Sequence, residues 1–203
     1  SFSNGETVID PVKFNFSRTG DNPFYRGMYE AASLSTGASL VAAEKVATGN
    51  VHGAFNISGG LHHAAVRHAS GFCVFNDPAI SIRYLAKLGM KIAYIDIDAH
   101  HGDGVQDVFY DTDQVLTISI HESGSFLFPG TGFPEVSGAG KVRGYSVNVP
   151  LYPYTSDKDY LWAFKEIVPP LIQQFKPDVL VTQHGSDSHF NDPITHLGLT
   201  VQG

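Results

Sequence analysis

Residues 92–104 read IAYIDIDAHHGDG, an apolar, β-branched run that turns polar within one residue. Asp96, Asp98 and His100 recur at intervals of two, so in an extended backbone all three share one face. A buried strand ending in carboxylate and imidazole must pair them with a cation or a hydrogen-bonding partner, because dry, unpaired groups of this kind cost several kcal/mol or more. Asp98 and His100 are therefore the first two candidate metal ligands.

On either side the pattern alternates between helix and strand. Met28, Ala31, Ala32, Leu34, Ala38, Val41, Ala42 and Val46 recur at helical spacing, predicting a helix over 28–48 stopped by Gly49. GAFNIS (53–58) reads as a short strand ending in Gly59-Gly60-Leu61-His62-His63. Asp77-Pro78 supplies a cap and first turn for a helix to Leu88. The strand at 91–98 turns at 102–104 into a short helix, VQDVFY. A strand at 114–121, a long Gly/Pro loop and a strand at 145–149 follow. Ser156 and Asp159 have capping-box spacing for a helix to about residue 175, with a kink predicted at Pro169-Pro170. The last strand, 178–183, ends in His184-Gly185-Ser186-Asp187.

Alternation of this kind predicts α/β architecture, a mainly parallel sheet with helices on both faces. Ligands of such sheets sit beyond the carboxyl ends of the strands. His62-His63, Asp96 to Asp103, His121 and Asp187 all fall at predicted strand ends.

Composition narrows the function. With 203 residues, 42% hydrophobic and 16% charged, the chain can bury a real core and reads as one domain over 1–203. A net charge of −7 excludes a nucleic-acid surface, which needs clustered Lys and Arg. Cys73 is the only cysteine, so there is no disulfide framework; a reducing compartment, the cytoplasm, is expected. No apolar run approaches the roughly 20 residues that span a bilayer, and the polar opening SFSNGETVID has no export signal.

Two carboxylates and one imidazole from Asp98, His100 and Asp187 would make a three-ligand zinc site with a fourth position for water. A bound water of this kind reaches a pKa of about 7. His62 and His63 are candidates to take its proton, with Asp96 and Asp103 available to orient them.

GGLHHA (59–64), SGFCVFND (70–77), DIDAHHGDG (96–104) and FPGTG (128–132), in that order, resemble the motifs of the zinc-dependent histone deacetylase family, closest in wording to its bacterial acetoin-utilization (AcuC-like) branch. The resemblance implies the three-layer arginase/deacetylase fold and hydrolysis of an acetyl-lysine-type amide. It makes Asp98, His100 and Asp187 ligands of one Zn2+. It makes His63, backed by Asp103, the general base and later acid, and gives His62, backed by Asp96, the task of tuning the field at the reacting oxygen. Phe72 and Phe128 would wall an acyl-lysine channel, Gly71 would lie along it and Asp21 would hold substrate backbone at its rim. A K+ or Na+ site would use Asp96, Asp98, His100, Ser119 and Ile120.

Two departures accompany the resemblance. His184 stands where the family carries an apolar or small residue, and it receives no role. None of the nine tyrosines lies in a C-terminal glycine-rich loop like the one in which the family places a carbonyl-polarising tyrosine, and the family's opening strand is not recognisable. The chain is thus expected to be a fragment that binds zinc and deacetylates weakly or not at all, since losing one oxyanion donor costs roughly 100- to 1000-fold. The substrate, an acetylated lysine or polyamine, and the oligomeric state stay open. So do two rivals: a binuclear manganese ureohydrolase of the arginase type, disfavoured by Gly102 and His189 where further carboxylates are wanted, and a non-catalytic module that captures acetylated ligands.

Overall fold

The computed structural model describes residues 10–203. Residues 1–25, rich in Gly, Asn, Ser and Pro, read from sequence as loop with aromatic anchors at Phe14, Phe16, Phe24 and Tyr25, and residues 1–9 of that stretch lie outside the described residues. The chain divides between Leu88 and Gly89 into two compact units.

Among the described residues the first unit starts with a 3-10 turn, Pro11–Phe14, capped by the Asp10 carboxylate on the Val12 N–H. Helix α1, Met28–Ala47, buries Met28, Ala32, Thr36 and Ala43, a stripe at close to four-residue spacing. Helix α2, Asp77–Lys87, packs against it and buries Ala79, Ile82 and Leu85. The cap of α2 is Asn76, one residue earlier than the sequence suggests: its side-chain oxygen accepts the Ala79 N–H, leaving Asp77 inside the first turn.

GAFNIS is not a strand. Its Asn56 side chain donates to the Ser35 carbonyl and the Ser39 hydroxyl of α1 and accepts the Ser58 N–H. These bonds hold an irregular turn in which Phe55 and Ile57 face outward. Asn favours local side-chain to backbone bonds over a ladder, and here that preference prevails.

The second unit is built on four parallel strands: β1 (Ile92–Asp96), β2 (Val115–Glu122), β3 (Ser146–Leu151) and β4 (Val179–Gln183), in the order β3-β2-β1-β4. All residues of β1 and β2 are buried, as expected for a parallel sheet covered on both faces. Helix α3 (Asp103–Phe109) follows β1, and α4 (Asp157–Phe175) precedes β4. Ala93 and Ile95 of β1, with Leu116, Ile118 and Ile120 of β2, form the core with Tyr160, Val168 and Phe175 of α4.

Helix α4 runs through Pro169 and Pro170 without ending. Val168, Leu171, Ile172 and Phe175 surround the prolines and pack on the sheet cluster, which offsets the missing N–H donors. Ser156 precedes the helix as expected, but its hydroxyl donates to Asp159 rather than capping a backbone N–H.

The opposite sheet face is polar toward the strands' carboxyl ends. Register places Asp96 beside Gln183 of β4 and Ser119 of β2, and Ser119 beside Asn148 of β3, giving one polar row across all four strands.

Candidate functional site

The chain leaves β1 toward β2 on one side and later crosses to β4 on the other, so the carboxyl ends of β1 and β4 adjoin at the point where strand order reverses. This is where open α/β sheets bind ligands. The turn after β1 carries Asp98 and His100, and the loop after β4 carries Asp187.

These three side chains meet. His100 Nδ1 lies 2.8 Å from Asp187 Oδ2 and 3.0 Å from Asp98 Oδ1. One ligand atom from each lies within 4.8 Å of the others, the only such His/Cys/Asp/Glu group among the described residues. Backbone donors fix both carboxylates: the His100 N–H bonds Asp98 Oδ1 at 2.8 Å and the Ala99 N–H bonds Asp187 Oδ1 at 2.9 Å.

Two neighbours of the centre carry no signal readable from the sequence alone. Gln183 Nε2 donates to Asp98 Oδ2 at 2.8 Å, while Gln183 Oε1 accepts the Gly185 N–H at 2.7 Å. A Cβ on Gly185 would fall 2.0 Å from Asp98 Oδ2, so only glycine admits the carboxylate there.

Burial opposes the charged form of His100, but hydrogen bonds to Asp187 and Asp98, with the negative charge of both, override it and raise its pKa to about 10. The pocket thus holds a positive charge tightly between two carboxylates. Two oxygen donors and one imidazole, held by backbone and amide bonds, fit a divalent metal ion.

Asp96 is fully buried and accepts the Tyr94 hydroxyl at 2.6 Å and the Asp98 N–H at 3.2 Å. Asp103 is the first residue of α3, not its cap, and accepts the Gly104 N–H. Ser119 sits beside Asp96 in register, with Ile120 next along β2. The Phe128 ring stands edge-on to His100, centroids 6.4 Å apart. Tyr160 buries a hydroxyl with no hydrogen-bond partner among the described residues; burial and the charges of Asp96, Asp98 and Asp187 push its pKa up.

His101 and His121 are wholly buried and stack at 4.8 Å. His101 Nδ1 meets the Thr131 hydroxyl, and His121 Nε2 donates to the Gly132 carbonyl, fastening the loop that carries Phe128. The doubled histidine of residues 100–101 was the available signal for this clamp. His184 is exposed and its Nε2 meets the Thr182 hydroxyl at 2.8 Å.

In the first unit His62 and His63 are 3% and 6% exposed, with Nε2 atoms 3.0 Å apart and ring centroids at 4.0 Å. No strand precedes them. The turn is held instead by side chains at the start of α2. Gly71 and Phe72 both take positive φ, +48° and +66°, in a tight turn closed by paired bonds between Ser70 and Cys73. The Phe72 ring is thrown outward, 68% exposed. Asp21 is exposed in the turn between Ser17 and Pro23.

Comparison with known proteins agrees with this arrangement. The sequence pattern of the histone deacetylase domain matches residues 3–203. The chain belongs to the histone deacetylase family. Within that family it is similar to the acetoin utilization protein AcuC of Bacillus subtilis, 48% identical over 184 residues that make up 90% of this chain and 48% of the relative. It is also similar to AcuC of Staphylococcus aureus strain MSSA476, 44% identical over 98% of this chain and 51% of the relative. The crystal structure of a deacetylase homolog from Aquifex aeolicus superposes with a TM-score of 0.88 at 41% identity, covering 95% of this chain and 51% of that one. A deacetylase homolog complexed with SAHA superposes at 0.87, with 43% identity over 93% of this chain and 50% of that one. The chain spans about half the length of the curated relatives it matches. The family implies a metal ion, and Asp98, His100 and Asp187 are the residues that would hold it. No helix of the described residues is long and apolar enough to cross a membrane.

Proposed function

We propose that this chain carries the metal and proton-transfer residues of a zinc-dependent amidohydrolase that removes the acetyl group from a lysine-type amide. The convergence of Asp98, His100 and Asp187 at the β1/β4 switch point carries the reading. A bound Zn2+ would supply Lewis acidity, activating water and polarising the amide carbonyl. Manganese pairs of the arginase type need more carboxylates than this cluster offers.

His62 and His63 handle the protons. With Nε2 atoms 3.0 Å apart they are close enough for a proton to pass between them. His63 would take a proton from water and return it to the leaving amine nitrogen, so that acetate and a free amine are released, with Asp103 as the carboxylate that the family resemblance assigns to it. His62 would stabilise the negative charge that develops on the carbonyl oxygen, with Asp96 as the carboxylate that the family resemblance assigns to it. Phe72 and Phe128 flank the extended methylene chain of the substrate, Gly71 allows it close approach, and Asp21 accepts hydrogen bonds from its backbone. Ser119 and Ile120, with Asp96, Asp98 and His100, would hold a K+ or Na+ ion beside the metal site. The lone buried thiol of Cys73 suits a reducing, cytoplasmic setting.

The test pairs metal analysis with acetate release from an acetyl-lysine peptide and from an N-acetylpolyamine, with a long-chain hydroxamate such as SAHA as competitor. One zinc per chain and hydroxamate-sensitive acetate release, weaker than that of a full-length relative, are expected. Two manganese ions per chain, or hydroxamate binding without any turnover, would replace this reading with one of its rivals.

A further inference from the structure

We infer that Asn76 and Asp77 are positioning residues that hold the His62-His63 pair in its working geometry, an inference that rests on the deacetylase reading above. Residues 59–64 form no helix or strand, so their backbone groups have no ladder to bond to. The two side chains at the start of α2 take over that task from both ends of the turn. The Asp77 carboxylate accepts the Gly60 N–H at 3.2 Å and the Leu61 N–H at 2.9 Å, just before the pair. The Asn76 amide donates to the His62 carbonyl at 2.9 Å and the Ala64 carbonyl at 3.0 Å, on the pair and just beyond it.

Helix capping does not explain these contacts. Asn76 Oδ1 alone caps α2 through the Ala79 N–H, so its Nδ2 and the Asp77 carboxylate are left over, and both bond the histidine turn. Asp77 is 2% exposed and also receives the Ser39 hydroxyl at 2.5 Å, so a buried anion is kept in place by three donors aimed from the turn and from α1. A Cβ on Gly59 would come within 2.5 Å of Asp77 Oδ2, so the turn closes on the carboxylate with no room for a side chain. Adjacent residues whose Nε2 atoms meet at 3.0 Å demand a defined backbone, and a displacement of about 1 Å in a reacting group can cost 100-fold.

Three variants of the zinc-loaded protein test this. Asn76→Asp keeps a capping oxygen but turns an acceptor toward two carbonyls. Asp77→Asn keeps the shape and turns a donor toward the N–H groups. Asn76→Ser retains a cap while removing the donors without repulsion, and it carries the test if the others lose their fold. Expected are falls in kcat of about 100-fold for the first two and about 10-fold for the third. KM and zinc content should stay within about threefold, and the basic and acidic limbs of the pH–rate profile should shift, a change that a purely structural role would not produce. Variants that melt earlier yet keep the parent kcat per zinc-loaded molecule, with an unmoved pH profile, overturn the inference alone. A parent that binds zinc but releases no acetate from any acyl-lysine or acetylpolyamine overturns the deacetylase reading and this inference with it.

Discussion

Metal uptake at Asp98, His100 and Asp187 should expel one proton from His100. The imidazole Nδ1 that faces both carboxylates is the atom a cation would need, and in the metal-free protein it holds a proton up to about pH 10. At pH 8 it is therefore about 99% protonated, and metal affinity should rise tenfold per pH unit from pH 7 to 9, about 100-fold or 2.7 kcal/mol in all. An imidazole with the ordinary value of 6.5 would change affinity less than about twofold over that range. Calorimetry of Zn2+ binding in two buffers of different ionisation enthalpy, with a competing chelator, reads both quantities: about one proton released per zinc at pH 8 and a unit slope of log K against pH. The sign carries over to stability. A raised pKa contributes stability that is complete below about pH 6.5 and is lost as pH rises through about 10, so the melting temperature of the metal-free protein should fall between pH 7 and 10.5. A flat log K between pH 7 and 9 would refute the bridging geometry.

Other changes around the centre have defined outcomes. Gln183→Leu removes the amide that steadies Asp98 and should weaken zinc binding about 10- to 100-fold with little change in melting, read by chelator competition. Gly185→Ala places a methyl 2.0 Å from Asp98 Oδ2 and should lower zinc affinity at least as far; unchanged affinity would show that the β4 loop yields. Ile118→Ala opens a cavity in the core beneath α4 and should cost about 2–5 kcal/mol in urea denaturation, leaving zinc stoichiometry at one in the folded protein.

Strands β1 and β2 were legible because a buried parallel strand is mostly apolar, as Ile92 and Val115 show, and β4 by its short apolar run Val179, Leu180 and Val181, although that strand alternates between half-buried and exposed. The metal triad was legible because carboxylate and imidazole at strand ends demand a partner. Whatever depended on non-local bonding was not. Asn56 reads as an ordinary strand residue until its bonds to Ser35 and Ser39 appear, twenty-one and seventeen positions away. Asn76 and Asp77 both make good caps, and only the distant turn distinguishes their tasks. Gln183 looks like the polar end of a strand, and Gly185 like a loop glycine, because nothing in the sequence states that Asp98 will arrive beside them.

The polar row Gln183, Asp96, Ser119 and Asn148 has a consequence for folding fidelity. Sliding β1 or β2 past its neighbours by a single residue would turn Asp96 or Ser119 into the greasy layer under α4 and turn Ile95 or Ile118 out into the polar side. Mispaired sheets are thereby penalised by the same side chains that line the ligand crevice, so selection for chemistry also guards against misregistered assembly.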